Sequence, residues 1–171
     1  MKSIVIYSSL TGNTKQVAEA ITSVLPVGTP CVSMQELPLD LSSYDLVFAG
    51  FWVDKGTANK EARDVLGTLH NPYIALFATA GVPPQMAHAK ESLINAANCL
   101  PDGVEPVGTF ICQGKVDPKV IEMMYKMFPK GHSHGQSANR DARHKQAAVH
   151  PNEDDFKVAQ DFAKDILIKL R

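Results

Sequence analysis

The sequence predicts an α/β fold in which helices cover both faces of a doubly wound, five-stranded parallel sheet. Strand-like and helix-like segments alternate along the chain, which is the pattern of βα units. The strand-like segments are also nearly continuous apolar runs, as expected for strands that are covered on both faces. Because 171 residues suit one compact core, we expect a single domain over residues 1–171.

Five strands and the helices between them can be placed by their hydrophobic spacing. Apolar residues with helical period follow the first, third and fourth strands and recur twice after the fifth. Short connections and right-handed crossovers leave few arrangements of such units, although the pattern alone leaves the strand order open. The strands are predicted at 3–7, 30–33, 46–49, 73–78 and 107–112, and the helices around 17–25, 62–69, 89–97, 120–127 and 156–170.

Composition excludes several functional classes. With 18 acidic and 17 basic residues, the formal net charge is −1, which gives no strong attraction to nucleic acid. No apolar stretch approaches the length of a membrane span or a signal-peptide core, so we expect a cytoplasmic protein without a membrane partner. Cys31, Cys99 and Cys112 form no CxxC pair and are expected to be buried thiols rather than disulfide or zinc ligands.

Residues 130–150 interrupt the regular pattern. The segment is polar and basic, and it lies between two helix-like stretches. We expect a surface excursion, with a helical turn around 140–148. Its basic side chains suit either an acidic partner or substrate carboxylate, or simple solvation. His132 and His134 suggest a metal site, but no Cys or acidic spacing supports one, so no metal is predicted.

The turn after the first strand has the composition of a phosphate site. A helix starting near residue 13 offers free amide N–H groups and a positive dipole end. Hydroxyl groups add donors, Gly12 allows close approach of the backbone, and Asn13 suits a helix cap. No Lys or Arg lies in the turn, so neutral donors would hold the phosphate. The candidate residues are Ser8, Ser9, Thr11, Gly12, Asn13 and Thr14.

Two common nucleotide motifs are missing from this turn. The sequence contains neither the GxxxxGK[ST] pattern of P-loop proteins nor the GxGxxG pattern that binds dinucleotides. A nucleoside triphosphatase and an NAD-binding Rossmann protein are therefore disfavoured.

The stretch Ser9-Leu10-Thr11-Gly12-Asn13-Thr14, directly after the first strand, resembles the [ST]-x-T-G-x-T phosphate loop of flavodoxins. The resemblance extends from the first strand to the C-terminal helix. It implies strand order 2-1-3-4-5 and flavin mononucleotide (FMN) bound over the ends of strands one, three and four; flavodoxin is the standard example of this switch point.

The same resemblance assigns the flavin ring to two further loops. One follows the third strand and contains Trp52, the only Trp of the chain, whose indole would stack on the ring. The resemblance also implies a flexible glycine-containing peptide in this loop; Gly56 is the candidate for this hinge, with Gly50 as the competing position. The other follows the fourth strand, where backbone amides would contact the pyrimidine edge. The predicted ring contacts are Phe51, Trp52, Val53, Gly56, Thr79, Ala80 and Gly81.

One departure from the flavodoxin pattern affects the predicted function. Flavodoxins often place a second aromatic residue in the loop after the fourth strand, and residues 79–84 contain none, which leaves one flavin face open or in aliphatic contact. We expect an electron carrier between a reductase and an acceptor, with no catalytic side chain, since the cofactor performs the chemistry. The alternative is a self-sufficient NAD(P)H-dependent reductase of a small molecule such as a quinone. A receiver-like module is disfavoured, because no acidic residue ends the first strand.

Overall fold

The computed structural model describes residues 1–37 and 40–171 and contains the predicted parallel sheet. Five parallel strands lie in the order β2-β1-β3-β5-β6, and a two-residue strand, β4, pairs antiparallel with the end of β3. Without β4 this is the predicted order 2-1-3-4-5, so the fold class is confirmed with one added strand. The strands are β1 (Ser3–Tyr7), β2 (Cys31–Ser33), β3 (Leu46–Asp54), β4 (Thr57–Ala58), β5 (Tyr73–Ala80) and β6 (Gly108–Gln113).

Helices cover both faces of this sheet. Side chains alternate between the faces along each strand, so Val5 packs on one side, in the cluster that includes α1 and α6, while Ile4 and Ile6 pack on the other, with α2 and α3. The helices are α1 (Asn13–Thr22), α2 (Lys60–Leu66), α3 (Ala87–Ala97), α4 (Pro118–Met127), α5 (Ala138–Ala147) and α6 (Glu153–Lys169), with a short 3-10 helix at Met34–Glu36.

The centre of the sheet is packed too closely for a side chain at Gly50. Gly50 pairs with Phe77 on the neighbouring strand, and a Cβ atom at Gly50 would lie 2.1 Å from the Phe77 ring. Both residues belong to continuous strands in the middle of the sheet. Gly50 is therefore a packing position in a strand, and the competing hinge assignment at this residue is wrong.

Strand β3 is longer than the sequence predicted. The apolar run was expected to end at Ala49, but ladder pairing with β5 continues to Trp52, and β3 ends at Asp54. The chain then turns at Lys55 and Gly56, both with positive φ (50° and 78°), into β4. Two positive φ values in a two-residue hairpin define a type I′ turn. The stretch that follows Ala49, predicted as a loop containing Trp52, is therefore mostly strand.

The segment between β6 and α6 contains two helices. The predicted turn at 140–148 is helix α5, whose first turn is capped by Ser137 Oγ accepting from the Arg140 amide. Helix α4 is amphipathic, yet none of its ten residues is fully buried. Within the described parts of the chain, no helix is both long and apolar enough to cross a membrane.

Candidate functional site

The turn between β1 and α1 is held in shape by Ser9 and Gly12. Ser9 Oγ accepts hydrogen bonds from the amides of Gly12 (3.1 Å) and Lys15 (3.3 Å). Gly12 has φ +93°, a conformation that other residues adopt only with strain, and a Cβ atom there would meet nothing within 4 Å. Backbone conformation, rather than lack of space, is thus what requires glycine in this structure.

The amide groups of this turn are free to bind an anion. The N–H groups of Leu10, Thr11, Asn13 and Thr14 donate to no acceptor among the described residues. They surround the start of α1, where the helix dipole adds positive potential. A dianionic phosphate matches such a cluster of donors, so the turn fits the predicted phosphate loop.

Two hydroxyl groups of the loop bond to other elements. Ser8 Oγ accepts from Asn59 Nδ2 at 2.8 Å and donates to the Glu61 carboxylate, so it connects β1 to the start of α2. Thr14 Oγ1 lies 2.9 Å from Thr79 Oγ1 in a buried pair. The loop is therefore fixed to the start of α2 and to the carboxyl end of β5, and ligands bind at the carboxyl ends of the strands in open α/β sheets.

Two adjacent cavities of about 230 and 210 Å³ open beside this loop. Both are bordered by Thr11, Asn13, Lys115 and Asp117, so they form one continuous cleft. The larger cavity is lined by Leu10, Thr11, Asn13, Trp52, Val53, Asp54, Thr79, Ala80, Gly81, Gly114, Lys115, Val116, Asp117 and Val120.

The structure brings seven of the predicted contacts together in this lining. They are Thr11, Asn13, Trp52, Val53, Thr79, Ala80 and Gly81. Ser8, Ser9, Gly12 and Thr14 shape or brace the loop beside it. The side chain of Phe51 is fully buried in the core and so cannot line the cleft. Gly56 lies at the hairpin tip, where its carbonyl accepts from Asn95 Nδ2 at 2.8 Å, and is also outside the lining.

The segment after β6 also forms a wall of the cleft, and it was not predicted from the sequence. Asn13 Nδ2 donates to the Lys115 carbonyl at 2.8 Å, and a Cβ at Gly114 would lie 2.9 Å from that Asn13 amide nitrogen. Val116 packs on the turn after β5, because a Cβ at Gly81 would lie 2.6 Å from Val116 Cγ2. Their position could have indicated this role, because residues 114–117 directly follow the carboxyl end of a parallel strand.

The cleft contains charges of both signs. Lys115 borders both cavities, so a cation lies near the loop although none lies within it. Asp54 and Asp117 also line the cleft, and Asp117 caps α4 by accepting from the Lys119 amide at 2.8 Å. Nearby in β6, burial raises the pKa of the Cys112 thiol, which keeps it protonated and unreactive. No group of three His, Cys, Asp or Glu in residues 1–37 and 40–171 could hold a metal ion.

These features define a doubly wound α/β protein with an anion loop and a ligand cleft at the switch point of its sheet. Comparison with known proteins identifies the family. A profile described as "Flavodoxin domain" matches residues 4–164, and the chain belongs to the flavodoxin family. Membership supports FMN as the cofactor that the phosphate loop predicted.

Individual relatives agree with this assignment. The chain is 37% identical to the flavodoxin-like domain-containing protein BilS of Clostridioides difficile, over 99% of this chain and 98% of that protein. Among solved structures, the flavodoxin of Streptococcus pneumoniae TIGR4 has a TM-score of 0.57 at 14% identity, covering 98% of both chains. A flavoprotein in complex with FMN from Lactobacillus acidophilus NCFM has a TM-score of 0.52 at 19% identity, covering 65% of this chain and 93% of that one. At these identities the two structures support the fold.

Proposed function

We propose that this protein binds FMN in the cleft and transfers electrons from a reductase to an acceptor enzyme. The observation that carries the proposal is the set of free amides at Leu10, Thr11, Asn13 and Thr14, directly beside a cleft lined by Trp52. A phosphate dianion and a flat aromatic ring system are complementary to these two features. Family membership and the FMN complex of the Lactobacillus flavoprotein support the choice of ligand.

Each part of the cleft has a distinct role in this proposal. The α1 amides hold the phosphate, the indole of Trp52 stacks on the ring and excludes water, and the backbone of Thr79–Gly81 contacts the pyrimidine edge. When bound, FMN supplies reversible uptake and release of electrons and protons. Asp54 and Asp117 add negative charge at the cleft, which disfavours an anionic reduced ring. We further propose that residues 1–171 form a single domain, in line with the family match over 4–164.

FMN binding can be tested by comparing two flavins. Riboflavin has the same ring system as FMN but no phosphate. Replacing Thr11 by Leu introduces an apolar side chain beside the amide cluster, so we expect FMN affinity to fall about tenfold or more while riboflavin affinity changes little. Thr22→Val is the matched control, because Thr22 lies at the other end of α1, where its hydroxyl donates to the Ala18 carbonyl. Equal weakening of both flavins, or failure of the parent protein to bind FMN, contradicts the proposal.

The electron-carrier assignment has its own test. FMN-loaded protein is mixed with NADPH in a stopped-flow instrument, with and without a catalytic amount of a flavodoxin reductase. A carrier is reduced quickly only when the reductase is present. Fast reduction by NADPH alone favours the alternative, a self-sufficient reductase that uses the open side of the cleft as its substrate site.

A further inference from the structure

Helix α4 exposes an unusual apolar face for a surface helix. Met123 is 56% and Met127 64% exposed, and Val120 is also exposed. Because each residue of an α-helix advances by about 100°, positions 120, 123 and 127 fall within one narrow sector. Exposed methionines form adaptable surfaces that suit binding to another protein. We name Val120, Met123 and Met127 the α4 face.

The α4 face is continuous with the proposed flavin cleft. Val120 belongs to the face and also lines the larger cavity. Leu10 lines the same cavity from the other side and is 67% exposed. The mouth of the cleft is therefore bordered by apolar side chains, so a protein seated on the α4 face would lie at the edge of the flavin site.

Charge indicates which kind of partner fits. Residues 114–149 carry an excess of cations, although the whole chain has a formal net charge of −1. On α4, Lys126 is paired with Glu122, whereas Lys119 on the same helix and Lys130, which follows its end, have no acidic partner within 4 Å among the described residues. The segment contains Lys115, Lys119, Lys126, Lys130, Arg140, Arg143 and Lys145 against Asp117, Glu122 and Asp141.

We propose that the α4 face is the docking surface for the electron-transfer partner, and that this partner presents an apolar contact rimmed by acidic side chains. This inference rests on the proposed function. Apolar contact supplies the binding energy, while the unpaired lysines steer an oppositely charged partner into register. The partner's redox centre would then approach the exposed edge of the cleft.

Two small haem proteins of opposite charge test this surface. Cytochrome b5 is acidic and cytochrome c is basic, and both accept one electron. FMN-loaded protein is reduced with one equivalent of dithionite and mixed anaerobically with each ferric cytochrome. One reduced FMN is oxidised by two haems, which become ferrous, and its protons pass to the buffer. Ferricyanide, which is too small to need docking, serves as the control acceptor.

The expected result is a salt dependence of opposite sign for the two cytochromes. The second-order rate with cytochrome b5 should fall as ionic strength rises, because screening weakens attraction. The rate with cytochrome c should stay level or rise. Lys119→Glu combined with Lys130→Glu should slow cytochrome b5 reduction about tenfold at low salt, whereas Lys164→Glu, on α6, should leave it unchanged.

The apolar contact is tested separately. Met127→Asp should slow cytochrome b5 reduction at both low and high salt. The matched control is Ile168→Asp, since Ile168 is 66% exposed and the adjacent Lys169 bonds to the Val107 carbonyl, which precedes the amino end of β6, whereas the cleft lies at the carboxyl ends of the strands. At high ionic strength, where screening suppresses the effect of its own negative charge, ferricyanide should oxidise all variants at the parent rate.

The outcomes separate this inference from the proposed function. If ferricyanide oxidises the bound flavin but the two cytochromes show the same salt dependence, or the α4 variants behave as their controls, the docking surface is wrong and FMN binding stands. If no flavin is bound, the proposed function itself fails. A dimer in sedimentation analysis that Met127→Asp dissociates would instead assign the face to a second copy of this chain, which overturns the inference.

Discussion

The two ends of the ligand cleft differ in how they are held. The phosphate-loop end is fixed by buried hydrogen bonds of Ser8 with Asn59 and of Thr14 with Thr79, and by a partly buried one of Ser8 with Glu61. The opposite end is α4, which has no fully buried residue. A cofactor requires fixed donors, because their positions are set before binding, whereas a partner surface can be adaptable. The comparison therefore assigns stability and cofactor geometry to one end, and recognition to the other.

Packing at the sheet centre should give the largest effect on stability. Gly50→Ala places a Cβ against the buried Phe77 ring, 2.1 Å away, so we expect a loss of about 3 kcal/mol in the free energy of unfolding, measured by urea denaturation. Gly67→Ala is the control, because its Cβ would meet no atom closer than 3.6 Å. Equal stability of the two variants would show that β3 and β5 separate more easily than this packing implies.

The brace behind the phosphate loop should give the next largest effect. Ser8→Ala leaves the Asn59 amide and the Glu61 carboxylate without their shared partner. We expect a loss of about 2 kcal/mol in unfolding free energy, together with weaker FMN binding. Ser23→Ala is the control, since Ser23 is exposed and both hydrogen bonds of its hydroxyl, to the Ala20 carbonyl and from Gln160 Nε2, are exposed to solvent. An unchanged Ser8→Ala protein would mean that the loop keeps its shape without the brace.

Much of this fold could be predicted from sequence, because long apolar runs leave few alternatives to a buried strand. The run at Ser3–Tyr7 gave β1 with its observed bounds, and alternation with helical segments gave the parallel sheet. The extension of β3 to Asp54 was missed because Gly50 and Trp52 interrupt the aliphatic pattern. Ladder pairing with β5 overrides that local signal.

The site was only partly predictable for a related reason. The loop at Ser9–Thr14 is contiguous, so composition and position identify it. The wall made by Gly114–Asp117 depends on contacts across the fold, such as Asn13 with the Lys115 carbonyl, that no local pattern encodes. The interior position of Phe51 follows from strand alternation once β3 is known to continue through it.

Truncating the methionines of the α4 face, at the adaptable end of the cleft, should hardly change the stability of the protein. Met123→Ala with Met127→Ala removes side chains that are mostly in solvent, so unfolding free energy should change by no more than about 0.5 kcal/mol. Met34→Ala is the contrasting variant, because Met34 is packed in the core and should cost about 2–3 kcal/mol. A large loss in the α4 double variant would show that this face is covered in solution.

Helix α5 should add a small pH dependence through His144. Both ring nitrogens of His144 are shielded and unbonded in the described structure; burial, with a contribution from Arg140, lowers its pKa below 6.5, against an opposing effect of Asp141. The unfolded chain therefore binds a proton that the native chain does not, and stability falls as pH drops below about 6.5. His144→Gln should flatten this slope in denaturation measured between pH 7.5 and 5.5. If His144→Gln retains the slope, a group other than His144 titrates in this pH range. Protonation of His144 then does not destabilise the adaptable end of the cleft.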